Sequence, residues 1–127
     1  MLDAERAPII EERLRAWEDA GEDLHAPTLF RFEVANALTR NVVAGKVESS
    51  DAKVAWQRIV AMEISLHGLT DGPTVIAIAR KLKRESAYDA SYIALAQDLD
   101  AELWTLDGPL ARNAAGTDLP VRLIETK

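Results

Sequence analysis

Three acidic residues are placed where they can do chemistry: Glu33 in "FRFEVANAL", Asp89 in "SAYDASYIALAQ", and Asp107 closing "AELWTLD". Each lies in or at the edge of a stretch that is otherwise small and apolar, and each has an ordinary structural explanation. "SAYD" fits a helix capping box, with Ser86 as N-cap and Asp89 three residues on, favoured by the helix dipole. Asp107 before "GPL" fits a helix N-cap with Pro109 in the first turn. Glu33 shares an amphipathic helix with Phe30, Val34, Ala37 and Leu38 and can be simply solvated. As a set the three are more specific. Mg²⁺ and Mn²⁺ prefer oxygen ligands and keep several waters, so a few carboxylates from separate elements suffice to hold one. Two such ions about 3.5–4 Å apart activate water and stabilise the leaving oxygen in phosphodiester cleavage. Capping and metal binding are compatible roles for one carboxylate.

The composition removes several competing chemistries. The 127 residues contain no cysteine, which excludes thiol nucleophiles, disulfide frameworks and thiolate zinc sites. The net charge of −6 argues against passive nucleic-acid binding, although bound cations can neutralise an acidic site. There is no P-loop, GxGxxG or GxSxG. His25 and His67 fall in expected strands without a ligand-like neighbour and read as structural, and Trp17, Trp56 and Trp104 read as core residues. One basic run, "ARKLKR", puts Arg80, Lys81, Lys83 and Arg84 just ahead of Asp89. It fits first a solvated helix C-terminus, where cations favour the dipole; the functional reading is an RNA-phosphate rail beside the acids.

The elements that must position these groups follow from periodicity and punctuation. Ile10, Leu14 and Trp17 share one face of a helix from Ala7 to Trp17. "DLHAP" reads as a strand ending at Pro27, and a helix runs from about Thr28 to the stop at Gly45. Ser49 or Ser50 is expected to cap a helix through "DAKVAWQRIVAMEI". A strand "SLHGL", a helix "PTVIAIARKLKR" and the Ser86 helix follow. The strand "AELWTL", a short helix "PLARNA" and a strand "VRLIE" complete the chain. Alternating strands and helices predict an α/β fold with a mostly parallel sheet. Such sheets carry functional groups at the carboxyl ends of their strands, the position Asp107 takes after "AELWTL". Length predicts a single domain over 1–127. The charged N-terminus and the lack of a long apolar run predict a cytoplasmic protein with no membrane segment.

Together, "APTLFRFEVANALTR", "SAYDASYIALAQDLDAELWTLDGPLARNA" and the closing "VRLI" resemble the PIN-domain family, with the nearest likeness to its VapC-type toxins. The resemblance covers most of the chain from about Ala26, and the spacing of 56 residues from Glu33 to Asp89 and 18 on to Asp107 agrees with it. It implies a three-layer α/β/α sandwich around a mostly parallel central sheet and a metal-dependent ribonuclease site. Glu33, Asp89 and Asp107 match the family's second, third and fourth acids. Thr105 matches a hydroxyl residue that accompanies the last acid, and Asn36 a polar residue one helical turn after the Glu. The implied cofactor is Mg²⁺ or Mn²⁺. The implied partners are an RNA substrate, a cognate antitoxin and a second copy of the chain.

The chain departs from the family at one point. PIN domains open with a strand ending in "D-x-S/T", which supplies the first acid and the middle of the sheet, whereas "MLDAERAPIIEERL" resembles the stretch after it. Asp3 has only Met1 and Leu2 ahead of it and reads as a surface residue. Three acids in place of four imply weak metal binding and little ribonuclease activity for residues 1–127. The other reading is a non-catalytic PIN-fold fragment or homologue that keeps only an interaction surface.

Overall fold

Helix ends determine the architecture more than helix interiors do. A computed structural model of the protein describes residues 7–84, 87–105 and 107–124, with side chains from Glu12 onward. Asp3 and Ser86 lie outside the described residues. The chain forms two compact units, divided between Leu66 and His67, and each is described by itself.

The first unit begins with α1 (Ala7–Asp19) and β1 (Leu24–Pro27). The helices α2 (Leu29–Val43) and α3 (Ser49–Ala61) follow and pack on one another, and β2 (Ile64–His67) pairs with β1. Both α1 and α2 stop on a glycine. Gly21 and Gly45 adopt φ of 72° and 73°. The amides around each close back on the last turn, Gly45 N–H to the Val42 carbonyl and Lys46 N–H to that of Asn41. Gly45 is therefore the expected stop. α3 differs from expectation at both ends. Ser49 is already helical and Glu48, with extended backbone, holds the N-cap position without a side-chain bond. The helix ends at Ala61 because Met62 turns to extended dihedrals, releasing β-branched Ile64 into the strand. On α2, Val34 and Ala37 face inward, whereas Phe32 and Val43 are 74% and 83% exposed.

The second unit holds α4 (Gly72–Lys81), α5 (Tyr88–Asp98), β3 (Leu103–Thr105), α6 (Gly108–Ala115) and β4 (Val121–Leu123). Leu103, Trp104 and Thr105 pair in parallel with Val121, Arg122 and Leu123, and α6 is the crossover that a parallel pair requires. Its core joins Val75, Ile78, Ala79 and Leu82 of the α4 segment to Ala90 and Ile93 of α5 and to Leu110, Ala114 and Leu119. Ile93 is fully buried. Truncating such a residue to alanine costs about 2–5 kcal/mol.

The class is α/β, as the sequence predicts, with parallel pairing in the second unit. The described strands form two two-stranded sheets, β1–β2 and β3–β4. A lone two-stranded ribbon is marginal in water, so each depends on the helices that cover it. Among the described residues no helix is long and apolar enough to cross a membrane.

Candidate metal site

Two helices of the second unit begin with the same tripeptide, Asp-Gly-Pro, and the contrast between them shows what is unusual about Asp107. At α4, Asp71 Oδ1 accepts the Thr74 N–H at 3.1 Å and Oδ2 accepts the Thr74 hydroxyl at 2.6 Å. These two bonds hold the Asp71 carboxyl below its ordinary range, and both oxygens are committed to the cap. At α6, Asp107 Oδ1 accepts the Leu110 N–H at 3.0 Å. Leucine in place of threonine offers no hydroxyl, so Asp107 Oδ2 is left to face elsewhere.

It faces Arg84. One guanidinium nitrogen, Nη2, lies 4.0 Å from Asp107 Oδ2, and Nη1 lies 3.7 Å from Asp89 Oδ2. Asp89 stands in the first turn of α5, one turn ahead of buried Ile93 and in line with Ala96, so the buried face of that helix orients it. Ala87, with helical backbone, holds the N-cap position of α5 and makes no side-chain cap bond. The expected cap by Ser86 falls outside the described residues, and Asp89 is half-buried beside a cation. Thr105, at the carboxyl end of β3, accepts the Asp107 N–H on its Oγ1 at 3.0 Å. The hydroxyl thereby fixes the backbone from which Asp107 projects.

The other expected residues fall as follows. Glu33 is half-buried on α2 in the first unit, with Asn36 exposed one turn on. In the basic run, Arg80 and Lys83 are exposed, Lys81 pairs with Asp118 at 2.9 Å, and Arg84 turns to the acids. His25 and His67 lie in β1 and β2, and the three tryptophans are half-buried. Within either unit, among the described residues, no three acidic, histidine or cysteine side chains gather as a metal-holding group.

The donor chemistry of the Asp89–Asp107 pair suits a hard cation. Two carboxylate oxygens from different elements already share one positive group, and each side chain is 42% exposed, leaving room for water ligands. Arg84 gave no special signal in the sequence, since it closes a basic run that reads as a helix terminus.

Comparison with known proteins matches residues 3–116 to the PIN domain. Ribonuclease VapC9 of Mycobacterium tuberculosis is 35% identical over 91 residues, covering 69% of this chain and 68% of that protein. Ribonuclease VapC3 of Pyrobaculum aerophilum is 32% identical over 111 residues, covering 80% and 81%. With the fold class and these relatives in agreement, the chain belongs to the PIN-domain family, in its VapC branch.

Proposed function

We propose that this chain is a divalent-metal-dependent endoribonuclease of a toxin–antitoxin pair. The observation that carries the reading is the orientation of Asp89 Oδ2 and Asp107 Oδ2 toward a single cation. Asp89 and Asp107 would hold Mg²⁺ or Mn²⁺, directly or through water, and Glu33 is the further acid that the family implies. The cation, when bound, supplies an activated water and charge for in-line attack on the scissile phosphate, leaving a 5′-phosphate and a 3′-hydroxyl. Thr105 positions Asp107 through its backbone N–H, and Asn36 supports Glu33 from one turn away. Arg80, Lys81, Lys83 and Arg84 contact RNA phosphate from the end of α4. The relatives' names support the activity, and the family supports a cognate antitoxin, a homodimer, a single domain over 1–127 and a cytoplasmic setting.

The test is cleavage of a labelled RNA with Mn²⁺, with and without EDTA. Cleavage is expected with Mn²⁺ and is expected to stop with EDTA. Asp89→Asn is expected to lower the rate by several orders of magnitude, as loss of one member of a cooperative site does. Cleavage that survives EDTA or Asp89→Asn overturns the mechanism. No cleavage with either Mn²⁺ or Mg²⁺ favours the second reading, an interaction module, which the exposed Phe32 and Val43 on α2 also suit.

A further inference from the structure

We propose that Arg84 is a built-in counter-cation of the Asp89–Asp107 pair, holding the metal-free site and yielding it when a divalent cation binds. This rests on the reading of that pair as a metal site. The end of α4 delivers Arg84 to its place. Lys83 N–H bonds the Arg80 carbonyl and Arg84 N–H bonds that of Ala79, with Lys83 in the left-handed region at φ 56°. Buried Leu82 anchors the turn. The guanidinium then lies between the first turn of α5 and the start of α6, nearest to the two oxygens that face no cap.

Three features mark it as an exchangeable occupant. The separations of 3.7 and 4.0 Å exceed hydrogen-bond length, so charge holds the group without the bidentate fork that arginine makes with a structural carboxylate. Nε and Nη2 are buried without a hydrogen-bond partner, a costly state for a charged donor. The side chain is still 29% exposed, so it has a way out on a flexible stem. A Mg²⁺ ion takes carboxylate oxygens at about 2.0–2.1 Å, and two cations that close repel strongly in a partly dehydrated site. Metal and guanidinium therefore exclude one another.

Calorimetric titration of Mn²⁺ into the full 127-residue chain, Arg84→Gln and Asp89→Asn tests this. Arg84→Gln is expected to bind Mn²⁺ about tenfold more tightly, the scale of two partly exposed charge pairs. Asp89→Asn is expected to lose binding. Loss in Asp89→Asn with no tightening in Arg84→Gln overturns the counter-cation and leaves the metal site standing. Equal behaviour of wild type and Asp89→Asn, including no binding by either, removes the metal site and this proposal with it. The wild-type protein provides a second measurement that does not depend on a variant folding. The Arg84 Nε–H resonance is expected to shift saturably with Mg²⁺, and a resonance unmoved at saturating metal contradicts the exchange.

Discussion

Asp71 and Asp107 show how one residue three positions away decides what a carboxylate is for. Both cap a helix that opens Asp-Gly-Pro, yet threonine at 74 consumes the second oxygen of Asp71, and leucine at 110 leaves that of Asp107 to Arg84. The two roles of Asp107 separate by mutation. Asp107→Asn keeps an acceptor for the Leu110 N–H and loses the charge, so urea denaturation should show little change while Mn²⁺ binding falls. Asp107→Ala loses the cap as well, at a cost of about 1 kcal/mol. A destabilisation by Asn as large as that by Ala would mean that the Arg84 contact, and not the cap, is the stabilising one. At this scale the Asp107 cap was legible from sequence, because Asp ahead of Gly-Pro is a helix-start signal. Arg84 was not. Its destination depends on the turn that ends α4, and nothing in "KLKR" distinguishes it from the neighbouring cations.

The elements were legible where glycine, proline and apolar period agreed, as at α2 with its stop at Gly45, and less so where termination depended on tertiary pull. α3 stops at Ala61 although "AMEI" continues its apolar pattern, since Ile64 is drawn into pairing with β1. The cap at Asp71 was legible in principle, carrying the same Asp-Gly-Pro signal as Asp107. Two helix ends give testable consequences. Lys83 and Asp100 hold the left-handed position that glycine holds after α1 and α2, at φ 56° and 51°. Lys83→Gly relieves the clash of its Cβ and should stabilise the protein by about 0.5–1 kcal/mol in thermal melts. An unchanged or lowered midpoint would contradict that account of the turn. Asp71 gives a pH dependence. The hydroxyl and then the N–H of Thr74 lower its pKa below the ordinary 3.8, so its contribution is present above that value. It fades as pH falls through the folded-state pKa. The stability gap between wild type and Asp71→Ala should therefore be constant above about pH 5 and narrow below pH 3.8. A gap that widens on acidification would reverse the sign.

For the molecule as a whole, the α/β class followed from the alternation of elements, but the division of the strands into β1–β2 and β3–β4 did not, because short strands do not announce their partners. The exposed Phe32 and Val43 of α2 are the kind of apolar surface that self-association covers. Light scattering at micromolar concentration should accordingly give twice the 14.0 kDa of one chain, and a monomer would count against the homodimer. The central claim, that Asp89 and Asp107 hold a divalent cation, is tested most directly by letting the metal report its own position. Fe²⁺ shares the oxygen-ligand preference of Mg²⁺ closely enough to replace it, and with ascorbate and peroxide it cuts the backbone beside its site. The account predicts cuts clustered around residues 89 and 107, suppressed by excess Mg²⁺ and absent in Asp89→Asn. Cuts elsewhere, or a pattern that neither Mg²⁺ nor the mutation changes, would contradict it.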